Sequence, residues 1–319
     1  MKKVVVSAPG KLHLSGEHAV VYGKPAVVVS TSKRIYVTLQ VQSSKFKVQN
    51  ETSELKTKKD YLASIIQLVE KKYATEFKNF SLDVTSDIPN GVGMGSSAAL
   101  AVATIGALTI WLGKQWDTKE INELAFQAEK VQHGNPSGGD NTVVTHGGLL
   151  WYRKEIDFLK TFWLLPFKIP KSFVPFVLIN TGRVETTGDL VKMVGGLKIR
   201  NEKEFEWLIA RIEKVTRAIV AAIHDEQESE MRRLIHENEV LLEEMGVVSR
   251  PTIKLIRDIE QAGGAAKISG AGGVKKGSGI VLATHNEPKK LAEIANKYNY
   301  PSFQVSLGGE GVRREQVIV

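Results

Sequence analysis

The stretch that decides the fold reads Pro89-Asn90-Gly91-Val92-Gly93-Met94-Gly95-Ser96-Ser97-Ala98-Ala99. Alternating glycines precede two serines, which open an apolar run of helical length, 96–112. Glycines let the backbone approach a ligand, and a helix N-terminus offers unpaired N–H groups and a positive dipole to an anion. The two hydroxyls can cap the helix and reach a phosphate or a magnesium ion. Because a strand-like segment precedes the glycines, the pattern favours a phosphate-binding loop over a flexible turn.

Two better-known phosphate motifs do not account for this stretch. A P-loop requires G-x-x-x-x-G-K-[ST], which no segment of the chain contains. Residues 93–98 do match the dinucleotide fingerprint G-x-G-x-x-A. That fold needs a strand directly after the helix, with an acidic residue for the ribose. A second helix beginning at Thr118 is predicted there instead, so the match does not indicate a dinucleotide-binding site.

Three further segments combine glycines with charged or hydroxyl side chains: 7–23, 129–141 and 267–279. The density of glycine in 267–279, which lies between two predicted strands, favours a loop shaped around a ligand over a mobile hairpin. Asp140 lies in a turn-forming run, where an aspartate considered alone is more often structural than catalytic. Four such segments in one chain are difficult to attribute to loops alone.

The rest of the chain mixes strands and helices. Alternation and short apolar runs predict strands at 4–7, 26–30, 34–42, 80–85, 176–180, 265–269 and 279–283. Helical periodicity predicts helices at 59–73, 96–112, from Thr118, 202–225, 228–245, 252–262 and 288–299. The proline-rich segment 166–175 is the best candidate boundary, which predicts domains at 1–170 and 171–319.

Composition sets broad limits on function. A chain of 319 residues suggests about two domains, and the absence of cysteine excludes disulfides and agrees with a reducing cytoplasm. No signal peptide is visible, and no apolar run approaches the roughly 20 residues that span a bilayer. The net charge of +8 suits small anionic substrates, and because no dense basic run with aromatics occurs, nucleic-acid binding is the weaker interpretation.

The four segments together resemble the superfamily of galactokinase, homoserine kinase, mevalonate kinase and phosphomevalonate kinase. Its three motifs are similar to Pro9-Gly10-Lys11 with Gly16-Glu17-His18, to residues 89–99, and to Ser269-Gly270-Ala271-Gly272-Gly273. They occur in the expected order along nearly the whole chain. The resemblance implies an α+β fold with a ribosomal-protein-S5-like N-terminal domain, a ferredoxin-like C-terminal domain and an active site in the cleft between them.

Within the superfamily, residues 129–141 and 16–23 resemble the mevalonate kinases. The chain departs from the family pattern in three places. Met94 replaces an aliphatic residue, Lys275 and Lys276 interrupt the glycines of the third motif, and Glu185 stands where an arginine is common. The last departure leaves open how a substrate carboxylate is bound.

The resemblance implies a role for each candidate residue. Residues 89–98 would bind the phosphates of ATP, and Ser97 with Glu129 would bind Mg²⁺. Asp140 would accept the proton of the attacking hydroxyl, with Lys11 beside it. The substrate, mevalonate, would contact Lys11, Asp140, Glu17, His18 and Thr187, and its 5-hydroxyl would be phosphorylated in isoprenoid biosynthesis. A cytoplasmic homodimer that contacts neither nucleic acid nor membrane is expected.

Alternatives remain open at this stage. The main rival is a kinase of the same superfamily that acts on phosphomevalonate or homoserine; a phosphorylated substrate would need further basic groups, which Lys192 or Lys198 could supply in space. A second is a nucleotide sensor without catalysis, against which the presence of both Lys11 and Asp140 argues. A third is a nucleic-acid binder that uses the basic charge.

Overall fold

The computed structural model describes residues 2–41, 53–89, 93–133, 136–156 and 159–318, with the side chains of 53–58 and 133 outside this description. Helices and strands are mixed and form two sheets with helices packed against them. In the described part of the chain, no helix is both long and apolar enough to cross a membrane.

The first sheet is formed mainly by strands from the N-terminal half of the chain. Its order is β10-β1-β2-β4-β5, and β3 also pairs with β2. Every pair is antiparallel. Its strands are β1 (Lys3–Ser15), β2 (Pro25–Val41), β3 (Phe80–Ser86), β4 (Leu149–Ile156), β5 (Leu159–Leu164) and β10 (Arg313–Ile318).

Within the described ranges, the helices that pack with this sheet are α1 (Ser53–Tyr73), α2 (Ser96–Trp111), α3 (Thr118–His133) and α4 (Gly139–His146). The middle of α2 is buried on all sides, from Ala98 to Thr109. A helix that is apolar all round belongs in a core. It contacts β1, β2 and the other three helices, which fixes its N-terminus and the loop before it.

The second sheet has the order β7-β8-β6-β9, with antiparallel pairs throughout. Its strands are β6 (Phe176–Asn180), β7 (Ala265–Ser269), β8 (Ile280–Thr284) and β9 (Ser302–Val305). Five helices accompany them: α5 (Thr187–Arg200), α6 (Glu202–His224), α7 (Glu228–Glu244), α8 (Arg250–Gln261) and α9 (Pro288–Lys297). The chain order is therefore the β-α-β-β-α-β of ferredoxin-like folds, with additional helices in the first crossover.

The structure corrects the predicted surroundings of three site residues. Lys11 was expected in a loop after the first strand, but β1 continues through it to Ser15, with an irregular register near Pro9. Asp140 was expected in a turn, but it is the second residue of α4, whose Val143 and Val144 are buried. No helix was predicted around Thr187, but it is the first residue of α5.

The predicted boundary at 166–175 lies between β5, in the first sheet, and β6, in the second. The last strand, β10, returns to pair with β1, since Lys3 stands opposite Ile318 and Ser7 opposite Arg313. Residues 313–318, which follow the predicted boundary, therefore pair with the first sheet. Arg34, which is 5% exposed, donates to the carbonyls of Glu310 and Gly311 and ties this return segment to β2.

Candidate active site

The glycine loop ends where α2 begins. Gly95 is the N-cap with φ 71°, and the first helical hydrogen bond runs from the N–H of Ala99 to the carbonyl of Gly95 at 3.0 Å. No side chain caps this described end of the helix. The first amides of α2 therefore lie at a positive helix end that can receive an anion. Of the predicted phosphate-loop residues, Asn90, Gly91 and Val92 lie outside the described residues.

Lys11 and Asp140 form an ion pair, with Lys11 Nζ 3.0 Å from Asp140 Oδ2. The ammonium is buried, whereas the carboxylate side chain is 33% exposed. Asp140 also lies in the first turn of α4, so the helix N-terminus adds positive potential beside it. Both sources of positive charge stabilise the ionised carboxylate, which is the form that can accept a proton.

The same lysine lies against the glycine loop. Its backbone N–H donates to the carbonyl of Met94 at 2.9 Å. Its side chain crosses Gly95 so closely that a Cβ there would come within 2.7 Å of Lys11 Cγ. Glycine is thus required at position 95 by the close approach as well as by the positive φ. Met94, the departure from the family pattern, is 1% exposed and packs in the core.

Ser97 and Glu129 also meet. Ser97 Oγ donates to Glu129 Oε2 at 3.3 Å, and the hydroxyl of Tyr61 donates to Glu129 Oε1 at 2.7 Å. Glu129 is 4% exposed, and burial together with its carboxylate raises the pKa of Tyr61. A hydroxyl and a carboxylate side by side fit the preference of Mg²⁺ for a few protein oxygens completed by phosphate and water.

Glu17 and His18 contact β7 and the third motif, respectively. His18 is 5% exposed, and its Nε2 is 2.9 Å from the carbonyl of Ala271. Its φ of 59° is unusual for a residue other than glycine, which is a conformation that functional sites often hold. Burial lowers the pKa of His18. Glu17 is 2% exposed, and its Oε1 accepts a hydrogen bond from Lys267 Nζ at 2.5 Å.

Thr187, the last of the predicted substrate residues, begins α5. It is exposed at the start of α5, after a capping box formed by Thr186 and Asp189. Among the described residues, no hydrogen bond connects it with Lys11 or Asp140.

The departures at Glu185 and Lys275 lie together. The backbone N–H of Lys275 donates to Glu185 Oε1 at 3.1 Å, while the lysine side chain is exposed. Arg183, two residues before Glu185, also lies against the third motif, since a Cβ on Gly273 would be 3.3 Å from its Cγ. Glu185 therefore fixes the end of the third motif, and a guanidinium is still present near it.

Comparison with known proteins assigns the family. Residues 60–148 match the family model described as GHMP kinases N terminal domain. The mevalonate kinase of Thermococcus onnurineus is 32% identical and that of Pyrococcus horikoshii 34% identical, with 99% of both chains covered in each case. The chain belongs to the mevalonate kinase family. Members are kinases, so the chain is an enzyme that uses ATP as phosphoryl donor on a small-molecule substrate.

Solved structures in this family confirm the predicted α+β fold. The mevalonate kinase of Methanococcus jannaschii superposes with a TM-score of 0.82 at 23% identity, over 96% of this chain and 98% of that one. The L. major mevalonate kinase in complex with R-mevalonate gives 0.81 at 24% identity, over 95% of each chain.

Three residues of the site were not anticipated. Tyr61 binds the Glu129 carboxylate, Lys267 binds Glu17, and His13 follows Lys11 on the same face of β1. Burial, followed by the charge of Lys11, lowers the pKa of His13 to about 3, so its imidazole is neutral. Only Lys267 had a usable sequence signal, because a lysine inside the apolar strand Ala265–Ser269 demands a buried partner.

Proposed function

We propose that this kinase transfers the terminal phosphate of ATP to the 5-hydroxyl of mevalonate, giving 5-phosphomevalonate in isoprenoid biosynthesis. The observation that carries the proposal is the ion pair of Lys11 and Asp140 lying against the N-terminus of α2. Relatives named mevalonate kinase that cover 99% of the chain support the substrate.

In the proposed mechanism, residues 89–98 bind the ATP phosphates through backbone N–H groups at the positive end of α2. Asp140 accepts the proton of the attacking hydroxyl, and Lys11 neutralises charge that develops beside it. Glu17, His18 and Thr187 bind the substrate. Phosphoryl transfer depends mainly on such positioning and charge neutralisation, because the protein does little covalent chemistry.

Magnesium is proposed as the cofactor. Ser97 and Glu129 would hold it, since they bring a hydroxyl and a carboxylate oxygen together next to the first turn of α2. Bound there, Mg²⁺ would neutralise the negative charge of the phosphates. Tyr61 fixes the other oxygen of Glu129 and so orients the carboxylate for this role.

The substrate is tested by measuring ADP release with purified enzyme, ATP, Mg²⁺ and a panel of alcohols. The panel contains mevalonate, phosphomevalonate and homoserine at equal concentrations. We expect the highest kcat/KM with mevalonate. A higher value with phosphomevalonate or homoserine would replace the proposed substrate, and ATP binding without ADP release on any substrate would indicate a nucleotide sensor.

Replacing Asp140 by alanine tests the proposed base. A positioned base contributes about 10²–10⁴-fold, so Asp140→Ala is expected to lower kcat by at least that factor while ATP affinity stays nearly unchanged. Asp225→Ala, which removes an exposed carboxylate at the end of α6, serves as the matched control. Near-normal turnover in Asp140→Ala would contradict the assignment.

We also propose that the enzyme is a cytoplasmic homodimer. Each chain is proposed to have domains at 1–170 and 171–319, with the last strand of the chain completing the first sheet. Three apolar side chains on β5 support a dimer surface, because Leu159, Trp163 and Leu164 are 53%, 62% and 47% exposed. Light scattering of the purified protein is expected to give twice the mass of 35.1 kDa. A monomer at micromolar concentration would contradict the dimer.

A further inference from the structure

Lys267 is a fully buried lysine that the proposed mechanism does not use. It lies in the middle of β7, a strand in which all five residues are buried, and its exposure is 0%. Its Nζ donates to Glu17 Oε1 at 2.5 Å and to the carbonyl of Ile268 at 2.6 Å. An ammonium is taken out of water at a cost of several kcal/mol, so a buried lysine needs a close counter-charge.

The partner carboxylate has one oxygen held and one available. Glu17 Oε1 binds Lys267, whereas Glu17 Oε2 is enclosed and has no hydrogen-bond partner among the described residues. A buried carboxylate oxygen without a donor is costly, and a substrate hydroxyl is a donor of the right kind. Lys267 thus fixes the carboxylate in an orientation that leaves one acceptor free for a ligand.

Two other contacts join the same segments. Ser269 Oγ accepts from the N–H of His13 at 3.0 Å and donates to its carbonyl at 3.1 Å. His18 Nε2 lies 2.9 Å from the carbonyl of Ala271. The end of β1 and the turn after it therefore lie along β7 and the third motif. The buried ion pair of Lys267 and Glu17 is a charged contact between these segments.

A second carboxylate borders the pair from α7. Glu239 is 0% exposed, and its Oε2 accepts from the N–H of Ile268 at 2.8 Å. Burial is the main cause that raises the pKa of Glu239 to about 8, whereas Lys267 opposes this and Glu243 and Glu17 add to it. Glu239 is thus mostly protonated at neutral pH, which leaves the single ammonium to the carboxylate of Glu17.

We propose that Lys267 is a positioning residue for phosphoryl transfer, holding the Glu17 carboxylate oriented so that its second oxygen binds a hydroxyl of the substrate. The proposal rests on the proposed function, because it concerns how the candidate active site binds mevalonate, a hydroxylated acid. Because Lys267 is fully buried and donates to Glu17 and to the carbonyl of Ile268, its effect on substrate binding is expected to pass through Glu17.

Lys267→Met tests the proposal through the Michaelis constants. Without the ammonium, the Glu17 carboxylate loses the donor that fixes its orientation. Loss of a hydrogen bond to a charged acceptor predicts a mevalonate KM higher by about tenfold or more, with the KM for ATP within about twofold of the parent.

The variant Glu17→Gln and the double variant show whether Lys267 acts through Glu17. Because glutamine carries no charge to be held, adding Lys267→Met to Glu17→Gln is expected to change the mevalonate KM little further. Lys267→Arg keeps the positive charge and is expected to recover part of the affinity. Additive effects of the two single substitutions would overturn the proposal.

Arg34→Met is the matched control, because it removes another buried cation that binds carbonyl groups of the return segment rather than Glu17. It is expected to lower the unfolding temperature while leaving the mevalonate KM unchanged.

If Lys267→Met does not fold, the double variant, which leaves no unpaired Glu17 charge, is expected to fold with the KM of Glu17→Gln. An unfolded double variant, or an unchanged mevalonate KM in Lys267→Met, would overturn the proposal. A parent enzyme that does not phosphorylate mevalonate would instead refute the proposed function.

Discussion

Replacing the buried Glu239 by glutamine is expected to change how the stability of the protein depends on pH. The side chain is 0% exposed on α7, and its pKa is raised from 4.5 to about 8, mainly by burial. Charged groups face it from three elements: Lys267 on β7, Glu17 in the turn after β1, and Glu243 on its own helix. Glutamine keeps an acceptor for the N–H of Ile268 but cannot ionise.

The sign follows from the raised pKa. Below pH 4.5 Glu239 is protonated in both the folded and the unfolded state, so its contribution to stability is fully present. Between pH 4.5 and about 8, Glu239 ionises in the unfolded state but stays protonated in the folded state, so stability is progressively lost. The gap between the two pKa values, converted at 1.36 kcal/mol for each unit of pH, gives an upper limit of about 5 kcal/mol. Glu239→Gln removes this dependence.

Urea unfolding followed by circular dichroism at pH 5, 6, 7, 8 and 9 measures the effect. Relative to the parent, Glu239→Gln is expected to gain stability steadily from pH 5 to 8 and to change little above pH 8. Glu244→Gln, which removes an exposed carboxylate at the end of the same helix, is the control and should follow the parent. Parallel curves for the parent and Glu239→Gln would refute the reasoning, because Glu239 would then ionise alike in both states.

Two further predictions concern the phosphate loop and the metal site. Gly95→Ala and Gly93→Ala both place a side chain at positive φ, at about 1–2 kcal/mol each, but only the former meets Lys11, at 2.7 Å. Gly95→Ala is therefore expected to displace Lys11 and to lower kcat far more than Gly93→Ala, although the two variants lose similar stability. Equal kcat values in the two variants would contradict this displacement. Tyr61→Phe removes the hydrogen bond that orients Glu129, so the Mg²⁺ concentration for half-maximal rate should rise about tenfold or more. An unchanged magnesium titration would show that Glu129 does not hold the ion.

The parts of the fold with strong local patterns were predictable. The helix that starts at Ser96 was expected because the glycines, the two serines and the long apolar run all point to the same boundary. The strands Phe176–Asn180 and Ala265–Ser269 were likewise expected at the observed bounds, since a short apolar run can be buried on both faces.

Asp140 shows where local pattern fails. The run around it is rich in proline, serine, glycine and asparagine, which predicts a turn. The structure instead begins a helix after Gly138, whose φ of 84° suits glycine, and buries Val143 and Val144 behind it. Burial of the apolar residues that follow outweighs the weak helix propensity of the first turn.

Long-range contacts were not predictable from spacing. Tyr61 and Glu129 are 68 positions apart, and Lys267 and Glu17 are 250 apart, so nothing in the local sequence pairs them. The family resemblance indicated Lys11, Asp140, Ser97 and Glu129 as site residues, and the structure brings each of these pairs together. Their proposed roles remain predictions for the assays above.

The return of β10 to pair with β1 affects how the chain folds during synthesis. One edge of β1 remains open until residues 313–318 have left the ribosome, because no other described strand occupies that edge. The first sheet therefore cannot be completed before all strands of the second sheet have been translated, although domains generally fold in order from the N-terminus. A nascent chain arrested before residue 313 is expected to expose that edge to chaperones or to other nascent chains.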